Sequence, residues 1–338
     1  MGELSIKMPK KEAKKKTFES YNIGEYTLTQ PLTSNRSGFS KWGFCVREGK
    51  EYFIKEFLNP VYPLDTIKID YEVRQRKIKQ CVEWFKEKKK IYQNITISQS
   101  GNLVPPLELF RHESHFYLVT EKVSEASMDC QEISHFDLEH KLVLIKVLAN
   151  SFSRLSDNNV VHADVKLDNL LIKQTNAGFF TIKVIDFDAS YLASNPPAGD
   201  EIQGDLVYLA PETFLAMIDE PTTLSPKVDV FAMGIVFHQL FCGEIPKFDS
   251  EYDYVYEAVL NDAELILNKD IPDKYRLLIS YMLKKDPKER FSMQQVKAAL
   301  KAIEDSLGFS KNPENDVTST SIHKREEKSR WIVADDFE

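Results

Sequence analysis

A run of apolar residues at positions 230–242 sets the first limit on how this chain of 338 residues folds. The run is apolar on nearly every side at helical spacing, and Gly243 follows it as a candidate C-cap. It is too short to cross a bilayer, and His238 and Gln239 interrupt it. A helix that is apolar all round needs packing partners on every side, so we expect this one at the centre of a large helical unit.

The predicted secondary structure of the remainder of the chain changes from strands to helices near Val123. Short β-branched and aromatic runs typical of strands fill the first third, at 25–32, 43–46, 52–57 and 116–123. One long polar helix near 67–92 interrupts them, with the apolar stripe Ile78, Cys81, Val82, Phe85 and Tyr92. Helical spacing resumes with Leu138, Leu142, Ile145, Ala149 and Phe152. The pattern predicts an α+β fold with a small strand-rich lobe, one long helix in that lobe, and a larger, mainly helical lobe.

Composition limits the partners and the location. The formal net charge of −8 at pH 7 disfavours binding to nucleic acid and to anionic membranes. The four cysteines are scattered without a CxxC pair, which indicates reduced thiols. Residues 1–20 are lysine-rich without the apolar core of a signal peptide, and residues 309–338 are mostly polar, so both are predicted to be disordered tails. We therefore expect a cytoplasmic protein.

The segment from His162 to Asn169, which reads His-Ala-Asp-Val-Lys-Leu-Asp-Asn, carries the clearest chemistry. Phosphoryl transfer needs a carboxylate to orient the attacking hydroxyl, a cation near the migrating phosphate and an oxygen ligand for Mg²⁺. Asp164, Lys166 and Asn169 supply these groups within one loop. The segment resembles the catalytic loop of the protein-kinase superfamily, His-Arg-Asp-x-Lys-x-x-Asn, with alanine in place of the arginine.

The resemblance implies a two-lobed protein-kinase fold, with lobes at 21–123 and 124–308. It also implies transfer of the γ-phosphate of Mg-ATP to Ser or Thr hydroxyls of protein substrates, with autophosphorylation as a reaction to test. Asp164 would orient the hydroxyl, Lys166 would offset phosphate charge, and Asn169 and Asp186 would hold Mg²⁺. Asp186 opens the triplet Asp-Phe-Asp, in which Asp188 stands where the family has glycine.

Three scaffold motifs extend the resemblance through the larger lobe. Residues 204–212 end in Ala-Pro-Glu, residues 229–234 open the central helix, and residues 286–291 contain a late arginine. In the family, the residues that match Glu212 and Arg290 form a buried ion pair. The residue that matches Asp229 hydrogen-bonds the catalytic-loop backbone.

Lys55 is the main match in the smaller lobe. It resembles the strand lysine that binds the α- and β-phosphates of ATP, and a lysine inside an apolar strand needs an anionic partner. The family takes this partner from the long helix, where Glu72 and Glu83 are both candidates. They lie about three helical turns apart and so face the same side. The spacing to Asn94-Ile95 favours Glu83.

The nucleotide pocket is predicted from weaker matches. The family covers the phosphates with a Gly-x-Gly-x-x-Gly loop, of which this chain keeps Gly38. Residues 117–123 resemble the strand that joins the lobes. The backbones of Glu121 and Val123 would bind adenine there, with Thr120 at the back of the pocket.

Ala163 bears on regulation. In many relatives the arginine at this position grips a phosphorylated activation loop, and alanine cannot form that pair. We therefore expect activity that does not depend on phosphorylation of this loop.

Two other functions fit part of the sequence. A small-molecule phosphotransferase of the aminoglycoside or choline kinase type shares the Ile-Asp-Phe-Asp pattern at 185–188. A pseudokinase, which binds without turnover, would account for the incomplete glycine loop and for Asp188. The departures from the family pattern resemble a divergent bacterial kinase of the eukaryotic type.

Overall fold

The computed structural model describes residues 18–35, 38, 40–123, 128, 130–174 and 180–307. The predicted tails at 1–20 and 309–338 lie outside these residues, apart from 18–20. A sheet with one long helix is followed by a mainly helical region, so the predicted α+β architecture of two lobes is confirmed. In the part of the chain that the structure describes, no helix combines the length and apolarity of a membrane span.

The smaller lobe is an antiparallel sheet of six strands. They are β1 (Asn22–Ile23), β2 (Tyr26–Leu28), β3 (Ser40–Arg47), β4 (Lys50–Phe57), β5 (Pro106–His112) and β6 (His115–Glu121). Their spatial order is β1-β2-β3-β4-β6-β5. β3 and β4 pair along their whole length and place Trp42 opposite Lys55. The run predicted at 25–32 is shorter in the structure, and β5 is not predicted from the sequence, because Pro106, Glu108 and Arg111 obscure its pattern.

Helix α1 (Tyr71–Ile97) packs against this sheet, where Trp84 meets Phe57 of β4 and Phe116 of β6. It begins later than predicted because the Asp70 side chain caps it, accepting hydrogen bonds from the backbone amides of Glu72 (2.9 Å) and Val73 (3.3 Å). Its buried residues are Cys81, Phe85, Ile91, Tyr92 and Ile95. The predicted apolar stripe therefore faces the protein interior.

The larger lobe is built around one buried helix. Its helices are α2 (Cys130–Ser134), α3 (Leu138–Asp157), α4 (Pro211–Met217), α5 (Lys227–Cys242), α6 (Val255–Leu260), α7 (Asp273–Met282) and α8 (Met293–Leu307). Every α5 residue from Val228 to Phe241 is buried, which confirms the central helix. Gly243 caps it in the left-handed conformation, with φ 79°.

Four short strands bring two loops together at the boundary between the lobes. They are β7 (Val160–Val161), β8 (Leu170–Gln174), β9 (Phe180–Val184) and β10 (Tyr191–Leu192), paired as β7 with β10 and β8 with β9. The loop before β8 and the loop after β9 meet where Ile185 N donates to Asn169 O at 3.0 Å. Both loops carry residues predicted to be functional.

Candidate active site

A buried carboxylate fixes the loop between β7 and β8. Asp229, near the start of α5, accepts hydrogen bonds from the backbone amides of His162 at 2.8 Å and Ala163 at 2.9 Å. Burial raises the pKa of Asp229, although these contacts act in the opposite direction. Ala163 is held at φ 66°, a conformation that few non-glycine residues adopt. The predicted contact between Asp229 and the loop backbone is confirmed.

Asp164 projects from this loop with one carboxylate oxygen held in place. Oδ2 accepts a hydrogen bond from Asn169 Nδ2 at 2.8 Å and lies 3.0 Å from Lys166 Nζ. Oδ1 is shielded from solvent and has no hydrogen-bond partner among the residues that the structure describes. The three residues predicted to be catalytic are therefore in mutual contact, with one acceptor oxygen left over.

Lys166 links this loop to the segment that follows β10. Its Nζ also lies 3.5 Å from Asp205 Oδ2. Burial lowers the pKa of Lys166, but the charges of Asp164 and Asp205 outweigh it and raise the pKa overall. The ammonium group is therefore stabilised in its charged form beside Asp164.

Lys55 reaches from β4 in the smaller lobe to the turn at 186–188 in the larger one. Its Nζ lies 2.9 Å from Asp186 Oδ1 and 2.9 Å from Asp188 Oδ2, and its side chain is 6 % exposed. Burial lowers the pKa of Lys55, but the two carboxylates raise it overall. Burial and the charge of Asp186 raise the pKa of Asp188. Burial acts on Asp186 in the same direction, yet Lys55 lowers the pKa of Asp186 overall.

The helix glutamate predicted to hold Lys55 does not do so. Glu83 is 65 % exposed and lies 3.8 Å from Lys79, one turn earlier on the same helix. Glu72 is exposed in the first turn of α1. Because Glu83 follows the buried Cys81 by two residues, it points about 200° away from Cys81 around the helix. The predicted Lys55–Glu83 pair is wrong, and Asp188 is the carboxylate found beside Lys55 together with Asp186.

Sequence reasoning missed Lys88, which approaches the same turn from α1. Its Nζ donates a hydrogen bond to the backbone carbonyl of Asp188, and the residue is half-buried. Burial lowers the pKa of Lys88, whereas the charge of Asp188 acts in the opposite direction. The available signal was its position, because residue 88 follows Phe85 by three places and so interrupts the apolar stripe.

A cavity of about 250 Å³ lies between the sheet and this turn. Its lining includes Glu121 and Val123, the two residues predicted to bind adenine, together with Thr120. Leu171 and Ile185 line it from the larger lobe. The cavity is thus bounded by the strand that joins the lobes and by the turn that carries Asp186.

Aromatic side chains form the sheet wall of the cavity. Trp42, Phe44 and Phe53 all line it. The rings of Trp42 and Phe53 stack with centroids 5.7 Å apart, and Phe44 meets Trp42 edge-on at 5.9 Å. This wall presents flat apolar surfaces, which suit a planar ring.

The loop between β2 and β3 runs beside this wall. Trp42 Nε1 donates to the carbonyl of Asn35 at 2.8 Å, and Thr33 and Trp42 exchange two backbone hydrogen bonds. Gly38 is exposed and is not among the residues lining the cavity. A Cβ at Gly38 would meet no atom of the described residues within 4 Å, so contact with them does not require glycine there.

Two side chains with oxygen donors suited to Mg²⁺ lie in the two loops that meet here: Asp186 lines the cavity, and the backbone of Asn169 bonds Ile185, which also lines it. The donors are the Asp186 carboxylate, which is 35 % exposed, and the side-chain amide oxygen of Asn169. Mg²⁺ prefers oxygen ligands and commonly binds through one or two carboxylates and the phosphates of a nucleotide. The donor set therefore fits this ion.

A buried ion pair joins α4 to the segment before α8. Arg290 Nη1 and Nη2 lie 2.6 Å and 2.9 Å from the two Glu212 carboxylate oxygens. Arg290 also donates to the backbone carbonyls of Lys227 and Lys284. The predicted Glu212–Arg290 pair is confirmed.

Comparison with known proteins finds relatives over most of the chain. "Protein kinase kin1" of Schizosaccharomyces pombe is 27% identical over 81% of this chain and 30% of its own length. "Probable serine/threonine-protein kinase KIN1 homolog" of Encephalitozoon cuniculi is 26% identical over 81% of this chain and 45% of its own length. "Aurora kinase" of Eremothecium gossypii is 27% identical over 58% of this chain and 51% of its own length. The chain thus spans about a third to a half of the length of these relatives.

The family model of the protein kinase domain matches residues 66–300. The match runs from just before α1 into α8 and includes both loops at the lobe boundary. Since it covers well over half of the chain, this chain belongs to the protein kinase domain family.

Proposed function

We propose that the protein is a kinase that transfers the γ-phosphate of Mg-ATP to serine and threonine hydroxyls of protein substrates. The setting of Asp164 carries the proposal: Asn169 and Lys166 hold one carboxylate oxygen, and the other has no partner among the described residues. A carboxylate fixed in this way can accept a hydrogen bond from the attacking hydroxyl. A lysine two residues after this aspartate resembles the serine/threonine subclass, and the similarity to the probable serine/threonine-protein kinase of E. cuniculi favours the same subclass.

The other predicted residues would manage charge and the metal ion. Asp186 and Asn169 would hold Mg²⁺, which neutralises phosphate charge when bound. Lys55 and Lys166 would offset the remaining phosphate charge. The backbones of Glu121 and Val123 would bind adenine, and Gly38 would belong to the loop over the phosphates.

The lobe limits and the location are part of this proposal. The proposed lobes, 21–123 and 124–308, meet between β6 and α2, where the sheet gives way to helices. We propose a cytoplasmic location because of the composition of the chain. Cys45, Cys81 and Cys242 are free thiols, which fits a reducing compartment.

Replacing Asp186 by asparagine should abolish transfer of labelled phosphate, because the chain would lose its only charged ligand among the residues proposed to hold Mg²⁺. Purified full-length wild type and Asp186→Asn would be incubated with labelled Mg-ATP, with phosphate read on the protein itself and on casein. Acid-stable label in the wild type alone is the expected result, and EDTA in place of Mg²⁺ should remove it. Equal labelling by both proteins would contradict the assigned metal ligand. No label and no thermal shift of the wild type with Mg-ATP would overturn the proposed activity in favour of a pseudokinase.

A further inference from the structure

Lys55 receives both of its carboxylate partners from one short turn. Asp186 and Asp188 each lie 2.9 Å from its Nζ. The three glutamates of α1, Glu72, Glu83 and Glu87, are all exposed. The described helix therefore offers no acidic side chain to a lysine that is almost fully buried.

Helix α1 instead presents a cation to the same turn. Lys88 lies on the buried face between Phe85 and Tyr92 and donates a hydrogen bond to the backbone carbonyl of Asp188. The side chain of Asp188 bonds Lys55 through Oδ2. One residue of the turn thus contacts both lysines, Lys55 through its side chain and Lys88 through its backbone.

Asp186 and Asp188 differ in the partners that are proposed for their carboxylates. Asp186 is the proposed Mg²⁺ ligand, so it would be shared between a bound metal ion and Lys55. Asp188 keeps one carboxylate oxygen on Lys55, and its Oδ1 is buried without a hydrogen-bond partner among the described residues. Asp188 is therefore the carboxylate that can stay with Lys55 when Asp186 binds the metal ion.

We infer that Lys88 and Asp188 form a positioning pair that replaces the missing helix carboxylate. Asp188 holds Lys55 in the cleft, and Lys88 fastens the turn carrying Asp188 to α1. The helix, the turn and the strand lysine are still connected. The helix contributes a cation, Lys88, and the turn contributes the anion, Asp188, where the family would take the anion from the helix. The consequence, alignment of Lys55 with nucleotide phosphates, rests on the proposed function.

Single substitutions should break this arrangement from either side. Asp188→Gly leaves Lys55 with only the carboxylate that a metal ion would also need. Lys88 keeps its hydrogen bond to the backbone carbonyl of residue 188 but loses the carboxylate charge of that residue. Lys88→Glu places a carboxylate beside Asp186 and Asp188. Each variant should raise the dissociation constant for Mg-ADP, measured by calorimetry, about tenfold. Each should also speed hydrogen exchange of the α1 amides at 85–92 in the nucleotide-free protein.

The double variant Lys88→Glu/Asp188→Gly supplies the decisive comparison. Position 88 lies close to Asp188, because the side chain of Lys88 reaches the Asp188 backbone, and Asp188 in turn bonds Lys55. A glutamate at position 88 can therefore become the carboxylate partner of Lys55. The double variant should bind Mg-ADP within about threefold of the wild type and regain slow exchange in α1. Lys86→Glu makes the same charge change on the exposed side of α1 and should alter neither measurement.

The pair is ruled out if the double variant is as weak as the two single effects combined, or if Asp188→Gly changes neither quantity. A wild type that transfers no phosphate would instead contradict the proposed function. In that case the hydrogen-exchange rates of α1 in the wild type, the two single variants and the double variant still decide whether Lys88 and Asp188 are coupled.

Discussion

Asp164→Asn should lower the turnover number for phosphoryl transfer by about 10² to 10⁴-fold, the range expected when a general base is lost. Asparagine keeps the size of the side chain and an oxygen for Asn169 and Lys166, so the loop should retain its shape. What is lost is the negative charge of the Asp164 side chain, which is 17 % exposed and so can be reached by a substrate hydroxyl. Steady-state phosphorylation of casein, with the dissociation constant for Mg-ADP measured alongside, checks the prediction.

Asp168→Asn is the matched control for this substitution. It lies in the same loop and makes the same chemical change, but its side chain is exposed. We expect Asp168→Asn to turn over at nearly the wild-type rate. An Asp164→Asn protein with unchanged turnover would remove Asp164 from the reaction, and one that fails to bind Mg-ADP would point to a loop that has lost its structure.

Glu212→Ala should destabilise the protein by about 3 to 5 kcal/mol, the cost of breaking a buried ion pair from one side. Arg290 is 1 % exposed and Glu212 is 3 % exposed, so the guanidinium that loses this carboxylate has almost no contact with bulk water. The guanidinium would keep its bonds to backbone carbonyls but would carry an uncompensated charge in the core. Urea unfolding followed by circular dichroism measures the change in the free energy of unfolding.

Glu51→Ala provides the comparison for this stability change. Glu51 pairs with Lys122 at 2.9 Å, but its side chain is 56 % exposed. Removing a pair of this kind should cost about 0 to 1 kcal/mol. If Glu212→Ala were no more costly than Glu51→Ala, the buried pair would not be a major support of the larger lobe.

The placement of the catalytic loop could be predicted because its residues are close in sequence. Asp164, Lys166 and Asn169 are separated by a few positions, so chain connectivity alone brings their side chains near one another. The buried helix α5 was predictable for a similar reason, since a segment that is apolar all round has few alternatives to burial. The functional roles of the loop residues stay predictions.

The partners of Lys55 could not be predicted from the chain alone. Lys55 and Asp186 are separated by 131 positions, so their contact depends on how the two lobes pack. Helical spacing predicts that Glu72 and Glu83 lie on the same side of α1. It does not predict whether that side faces the protein interior or the solvent. The packing of Phe85 and Tyr92 decides it, and this packing turns Lys88 toward the cleft. A lysine on an apolar stripe was the one local sign of the arrangement.

The aromatic wall of the cavity has a practical consequence for spectroscopy. The chain contains three tryptophans, and Trp42 lines the cavity while Trp84 packs against Phe57 and Phe116. A nucleotide base that stacks on the wall would lie against the indole of Trp42, so its arrival should quench part of the intrinsic fluorescence of the unlabelled protein. Trp42→Phe should remove this signal and leave the emission of Trp84 unchanged. The protein thus carries its own optical reporter of nucleotide occupancy, one that responds whether or not phosphate is transferred.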